Sequence, residues 1–279
     1  MRVIVTGSKG FIGSILIPKL KQSGYNVIEL DICDGIDITD WDQIKMNSHF
    51  ECVIHLACLT YVPDSYKIPK DFYRINVLGT LNMLELCRLH NAKMIFVSSY
   101  VYGVPNYLPV DEEHPVKAFN PYAETKLIGE QLCKGYNRDF NVPITILRPF
   151  NIFGKEQNER FLIPSIIKQA SSGTILLKDP RPKRDFIYID DFIKIFINVL
   201  QLNSNNVEIF NVGSGKSYSI EDIVRMVKLE YKKEINVEFS GETRKLEILD
   251  TRANITKASK LLGWEPIYDL SDGIKEILK

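Results

Sequence analysis

The segment Pro121-Tyr122-Ala123-Glu124-Thr125-Lys126 sets a phenol and an ammonium four residues apart. On a helix, positions i and i+4 share a face, so Tyr122 and Lys126 project together. A tyrosine ionises near pH 10. To act as a base at neutral pH its phenol must fall to about 7, which takes roughly 4 kcal/mol of preferential phenolate stabilisation. A neighbouring ammonium and a second bound positive charge can supply it. The spacing alone decides little, because Tyr66 and Lys70 repeat it. There Pro69 interrupts the helix and the shared face is lost. Ser98, in Val97-Ser98-Ser99-Tyr100-Val101-Tyr102-Gly103, follows a strand. Taken alone, a serine at such a place is a turn former more often than a catalyst. With Tyr122 and Lys126 on the next helix, Ser98 becomes the candidate hydroxyl for the oxygen that Tyr122 protonates or deprotonates.

A second constellation opens the chain. Thr6-Gly7-Ser8-Lys9-Gly10-Phe11-Ile12-Gly13 joins a first strand to a first helix. Glycines at 7, 10 and 13 allow a tight turn and close approach to a pyrophosphate, and the helix N-terminus offers N–H groups and a positive dipole end. Gly7, Gly10, Phe11, Ile12 and Gly13 are therefore the candidate dinucleotide grip. Asp31 ends the second strand, where a carboxylate can accept from ribose hydroxyls. It would repel a 2′-phosphate and no arginine follows closely, so NAD is preferred over NADP.

These residues need a scaffold that brings strand ends together. Strands are predicted at 3–5, 27–30, 52–56, 94–97 and 144–147, with helices near 12–23, 71–90 and 122–140 and a weak one near 40–46. Apolar runs buried on both faces and separated by helices indicate an α/β fold, a doubly wound parallel (Rossmann) sheet. After Arg148 the rhythm breaks. Helices are predicted near 160–171, 190–201, 219–230, 254–262 and 270–278, with short strands near 207–211 and 235–239. This describes a smaller, mostly C-terminal α/β lobe. The expected division is 1–155 with 186–215 as the dinucleotide-binding domain, and 156–185 with 216–279 as the substrate lobe.

Composition narrows the partners. The chain has 279 residues, 45% hydrophobic and 25% charged, and its 35 basic and 35 acidic side chains cancel to +0. A zero balance gives no long-range attraction for nucleic acid or an anionic membrane, so any phosphate must be held locally. No apolar run reaches membrane-spanning length and no signal segment is apparent, which predicts a cytoplasmic protein. The five cysteines are scattered without CxxC spacing. Reduced thiols are expected, and no metal site.

Taken in order along the chain, these pieces resemble the extended short-chain dehydrogenase/reductase family, in its NAD-dependent nucleotide-sugar epimerase/dehydratase branch. The matching segments are Thr6 to Gly13, His55-Leu56-Ala57, Asn76-Val77-Leu78-Gly79-Thr80, Ser98 to Gly103 and Tyr122 to Lys126. They continue with Leu147-Arg148-Pro149-Phe150-Asn151-Ile152-Phe153-Gly154, Arg184 to Asp191, Asn211-Val212-Gly213-Ser214-Gly215 and Leu262-Gly263-Trp264-Glu265-Pro266. The resemblance implies a Ser98–Tyr122–Lys126 triad in which Lys126 also holds the nicotinamide ribose. It implies adenine contacts from Asp37 and Ile38, and further cofactor contacts from Leu56, Ala57 and Pro149. Ser98, Ser99, Tyr100, Tyr122, Asn151, Arg184 and Arg244 are the implied substrate-binding residues. His55 reads as support for its strand end. A homodimer through the helices near 71–90 and 122–140 is also implied.

Two departures matter. Dehydratases of the branch carry an Asp-Glu pair directly after the triad hydroxyl, whereas this chain has Ser99 and Tyr100. Elimination of water and decarboxylation are thereby disfavoured. The segment between Asp31 and Cys52 is also compressed, which trims the adenine side. The leading expectation is a 4-epimerase acting on a nucleoside-diphosphate sugar through a transient 4-keto sugar. The alternative is a 4-keto-6-deoxy nucleotide-sugar reductase using the same residues in one direction. A non-catalytic NAD-binding sensor is a third, and it sits poorly with the retention of both Tyr122 and Lys126.

Overall fold

The computed structural model describes residues 1–231, 234–243 and 247–279. Two compact units emerge. The first comprises Met1–Gly103, Pro115–Pro149 and Phe196–Phe210; the second comprises Val104–His114, Phe150–Ile195 and Asn211–Lys279.

The first unit contains β1 (Arg2–Thr6), α1 (Phe11–Gln22), β2 (Asn26–Leu30), α2 (Trp41–Ile44), β3 (Cys52–His55), α3 (Val62–Ser65), α4 (Pro69–Tyr73), α5 (Gly79–His90), β4 (Lys93–Val97), α6 (Pro121–Phe140) and β5 (Ile144–Pro149). In the second unit are β6 (Asn151–Phe153), α7 (Leu162–Ser172), β7 (Thr174–Leu177) and β8 (Lys183–Tyr188). The chain division falls inside α8 (Ile189–Leu200) and again inside β9 (Val207–Val212). The remaining elements are β10 (Ser217–Ser219), α9 (Ile220–Tyr231), β11 (Asn236–Phe239), α10 (Thr256–Leu262) and α11 (Leu270–Leu278).

The main sheet has the order β2-β1-β3-β4-β5-β9, and its pairings from β2 through β5 are parallel. This is the expected doubly wound sheet. The chain steps outward from β1 to β2 and then returns to β3 on the other side, so the ends of β1 and β3 flank a topological switch point, where such sheets bind ligands. The compressed Asp31–Cys52 segment contributes no strand to this sheet and β2 forms its edge. The core combines strand residues Ile4, Val53, Met94, Phe96, Ile144 and Ile146 with Met83, Leu84, Leu86 and Cys87 of α5 and Cys133 of α6.

The helix expected over 71–90 is interrupted. A π-helical turn over Arg74–Leu78 separates α4 from α5. Tyr66 and Lys70 fall on either side of a break, Tyr66 closing α3 and Lys70 lying in α4, so their spacing carries no shared face.

The second unit holds the sheet β10-β8-β6 and the parallel pair β11–β7. Its extent differs from the sequence expectation. Residues 150–155 and 186–195 belong here because β6 pairs with β8 along Asn151–Phe153 and Phe186–Tyr188. Residues 104–114 join because Val110 bridges Ala253 and the Glu112 carboxylate accepts the Asn211 N–H at 2.7 Å. Among the described residues, no helix is long and apolar enough to cross a membrane.

Candidate active site

The turn after β1 is closed to side chains. Gly7 has φ +66°, in the left-handed region, and a Cβ there would sit 2.8 Å from the Ala57 nitrogen. A Cβ at Gly13 would lie 2.3 Å from the Gly7 carbonyl oxygen. Both approaches are backbone on backbone, so only glycine permits them. Thr6 fixes the neighbouring strand end. Its hydroxyl accepts the N–H groups of Leu56 and Ala57 at 3.2 and 3.1 Å and donates to His55 Nδ1 at 2.8 Å. His55 Nε2 donates to the Thr80 hydroxyl at 3.1 Å, which itself donates to the Asn76 carbonyl. Burial, reinforced by the charge of Lys126, pulls His55 down to about 3. It is a neutral support for the strand ends.

The α1 N-terminus has the features of an anion site. Gly10 caps it without a side-chain hydrogen bond and its first turn holds no acid. Phe11, Ile12 and Gly13 therefore present N–H groups without intrahelical acceptors. Beside them Ser8 is buried, and its hydroxyl has no hydrogen-bond partner. An orphaned hydroxyl next to free amide donors fits a bound pyrophosphate. Asp31 accepts the N–H groups of Lys9 and Cys33 at 2.8 and 2.9 Å. Burial works against its ionisation, but these backbone donors outweigh it and hold the carboxyl below its ordinary value. An ionised Asp31 suits ribose hydroxyls and repels a 2′-phosphate.

Of the two residues expected to meet the adenine, Asp37 accepts from the Thr39 N–H and hydroxyl, each at 2.8 Å, and pairs with Arg74 at 3.1 Å. Ile38 is buried, and Gly79 leaves it room: a Cβ there would stand 2.4 Å from Ile38 Cδ1. Ile38 thus has only its backbone to offer a ligand. Pro149 is buried at the end of β5.

One face of α6 meets the end of β4. Asn120 caps the helix by accepting the Ala123 N–H at 2.8 Å, and Pro121 follows at the first position. This sets Tyr122 in the first turn, with Phe72 edge-on to its ring at 6.5 Å. Lys126 is buried, donates to the Val97 carbonyl at 2.8 Å and lies 5.1 Å from the Phe96 ring centroid. Gly129 lets the helix come close, since a Cβ there would be 2.6 Å from Phe96 Cζ.

Ser98, expected to meet the oxygen on which Tyr122 acts, donates its hydroxyl to Glu130 at 2.7 Å in this structure. Phe96 packs toward α6, and Ser98, two residues on, points the same way. Burial pushes the Tyr122 phenol well above its ordinary value, Cys58 adds to that, and the Ser99 hydrogen bond pulls it back. Tyr100 donates to the Gly103 carbonyl at 2.7 Å and sets its ring edge-on to Tyr102 and Phe119, at 5.5 and 6.5 Å. Its hydroxyl is committed to the turn.

Asn76 was absent from the predicted site. From the π-turn it accepts the Leu59 N–H at 2.8 Å and donates to the Leu59 carbonyl at 3.1 Å and the Thr125 hydroxyl at 2.9 Å. It thus clamps the segment after β3 to α6. The signal was its place in Asn76-Val77-Leu78-Gly79-Thr80.

In the second unit, Asn151 donates to the Asp185 carbonyl at 2.9 Å. Arg184 donates to the Lys183 and Ile248 carbonyls at 2.8 and 2.6 Å and pairs with Glu247. Arg244 lies outside the described residues. Much of the remaining motif is scaffold. The buried Asp185 carboxylate accepts from Ser214, Gly215 and Ala253. Burial raises it to about 6 despite those donors. Asp191 accepts the N–H groups of Ile267 and Tyr268, and its carbonyl takes the Trp264 indole N–H. Among the described residues no cluster of His, Cys, Asp and Glu is arranged to hold a metal.

A family model described as the NAD dependent epimerase/dehydratase family matches residues 3–213. The chain is 37% identical to a putative UDP-glucose 4-epimerase of Methanocaldococcus jannaschii, over 99% of this chain and 97% of that protein. The UDP-glucuronic acid 4-epimerase of Bacillus cereus, solved with UDP-glucuronic acid and NAD, superposes with TM-score 0.87 at 30% identity, covering 99% of this chain and 97% of that one. The UDP-glucose 4-epimerase of Thermotoga maritima, solved with UDP-glucose, gives TM-score 0.91 at 26% identity over 100% and 97%. The chain belongs to the NAD-dependent epimerase/dehydratase family, with NAD as its cofactor.

Proposed function

We propose that the protein is a 4-epimerase of a uridine-diphosphate hexose, acting through a transient 4-keto sugar. The observation that carries this reading is the placing of Tyr122 in the first turn of α6, with Lys126 one turn on and buried against the end of β4. The relatives' substrates support the choice of a UDP-sugar. NAD, when bound, supplies a hydride acceptor that can return the hydride.

Tyr122 takes the proton from the sugar 4-hydroxyl and later gives it back. Ser98 is the triad hydroxyl assigned to the reacting oxygen. Because burial raises the Tyr122 phenol, its ionisation depends on positive charge brought close, from Lys126 and from an oxidised nicotinamide. Gly7, Gly10, Phe11, Ile12 and Gly13 would hold the pyrophosphate and Asp31 the adenosine ribose. Asp37 and the Ile38 backbone would meet the adenine, with Leu56, Ala57 and Pro149 completing the cofactor contacts. We assign the sugar to Ser98, Ser99, Tyr100 and Tyr122, and the diphosphate side of the substrate to Asn151, Arg184 and Arg244. In this reading the protein is a cytoplasmic homodimer, paired through helices that expose Tyr73, Leu89 and Phe140.

Asp31 favours epimerisation over net reduction, because a self-contained redox cycle suits retained NAD. The test is to incubate the purified protein with UDP-glucose without added cofactor and follow the products by NMR. Appearance of the 4-epimer is the expected result. Turnover only with stoichiometric added reductant would replace this reading with a reductase.

A further inference from the structure

Asp185 stands on β8 directly after Arg184, within the second unit, and has no part in the chemistry above. It is 0% exposed. Its carboxylate accepts four hydrogen bonds: Oδ1 from the Ser214 N–H at 2.7 Å and hydroxyl at 2.8 Å, and Oδ2 from the Gly215 and Ala253 N–H groups, each at 3.0 Å. Its carbonyl accepts the Asn151 side-chain amide at 2.9 Å. One residue thereby joins β6, the turn after β9 and the segment 247–253. That segment runs as a strap along the start of β8. The Lys183 N–H donates to the Leu249 carbonyl at 2.8 Å, and the Thr251 N–H donates to the Lys183 carbonyl at 3.2 Å. The same strap aims Arg184, through the Ile248 carbonyl at 2.6 Å and the Glu247 carboxylate. Asp185 holds its far end at Ala253.

A buried carboxylate is tolerable only while its donors stay in place. The turn and the strap therefore cannot shift without stranding it, and that stiffness passes to the groups they carry. We infer that Asp185 is a positioning residue for the substrate: through Asn151, and through the strap that aims Arg184, it fixes two groups that meet the substrate's diphosphate. The inference rests on the proposed assignment of Asn151 and Arg184 to that diphosphate. The diphosphate is remote from the sugar carbon that reacts. A loosened grip on it removes binding that ground state and transition state share, which raises KM and spares kcat.

The test titrates UDP by calorimetry into the holoenzyme forms of wild type, Asp185→Asn, Gly213→Ala and Arg184→Gln, and assays the same proteins with UDP-glucose. Asp185→Asn keeps the side-chain shape and turns one acceptor into a donor that faces backbone N–H groups. Gly213→Ala is the milder cut and keeps the test open where Asp185→Asn folds poorly. A Cβ at Gly213 would stand 2.7 Å from Ala253 Cβ and 2.9 Å from Asp185 Oδ2, which wedges the strap away from the carboxylate. Arg184→Gln, which removes the charged donor itself, is expected to weaken UDP about 10- to 100-fold. Asp185→Asn is expected to weaken UDP about 10-fold and to raise KM for UDP-glucose by a similar factor; for Gly213→Ala the figure is about 3-fold. Both should keep kcat within about 2-fold and bound dinucleotide unchanged. A lower melting temperature in these two variants, with wild-type UDP affinity and KM, would reduce Asp185 to a structural node and overturn the inference alone. Wild-type UDP affinity in Arg184→Gln would remove the diphosphate assignment, and this inference with it.

Discussion

The end of β4 and the turn after β1 treat their polar groups in opposite ways. At β4, Ser98, Ser99, Lys126, Glu130 and Arg148 each have a partner within the protein. At β1, the Ser8 hydroxyl is buried without one, and α1 begins without a side-chain cap. A buried polar group left unpaired costs about 1–3 kcal/mol. On the proposed function, the difference teaches that the chain itself assembles the chemical end of the site, whereas a ligand would complete the turn after β1. Binding there should stabilise the fold by mass action.

The comparison breaks most severely if the assembled end is cut. Glu130→Gln leaves Arg148 charged and buried, and should cost about 3–5 kcal/mol in chemical denaturation. A loss under 1 kcal/mol would mean that the network contributes little to the β4 end.

Acid sharpens the contrast next. His55, which braces the β1 and β3 ends, has its folded value lowered to about 3 from 6.5. The unfolded chain takes up a proton below pH 6.5 and the folded chain does not, so this contribution is fully present above pH 6.5 and is lost as pH falls toward 3. Between pH 6.5 and 5 the loss is about 2 kcal/mol. Denaturation of wild type against His55→Gln at both pH values should show the slope reduced in the variant.

The smallest effect is expected at the open end. Ser8→Ala removes an unpaired hydroxyl, so the unliganded protein should keep its melting temperature or gain slightly. NAD affinity should fall by about 1 kcal/mol, a few-fold in Kd by calorimetry. A clear loss of stability without the ligand would show that Ser8 has a structural partner.

The sheet was legible because β1, β3, β4 and β5 are short apolar runs flanked by glycine turns or amphipathic helices. β8 was not, because Lys183, Arg184 and Asp185 read as a solvated loop; only long-range donors from Ser214, Gly215 and Ala253 make a buried Asp185 tolerable. The placing of residues 104–114 in the second unit was hidden for the same reason, since it depends on Val110 and Glu112 meeting residues about a hundred positions or more away. At the site, Tyr122 and Lys126 follow from helical spacing. The engagement of Ser98 by Glu130 does not, since it joins positions 32 residues apart, although the two-turn step from Tyr122 to Glu130 was readable from the same helical spacing.

The central claim is that Tyr122, on the face of α6 that carries the buried Lys126, performs the proton transfer on the sugar hydroxyl while the turn after β1 holds the cofactor. Its most direct test is Tyr122→Phe assayed for UDP-glucose epimerisation alongside the dinucleotide released on denaturation. The account predicts a rate at least about 1,000-fold lower with wild-type dinucleotide content. Conversion at a rate near wild type would contradict it.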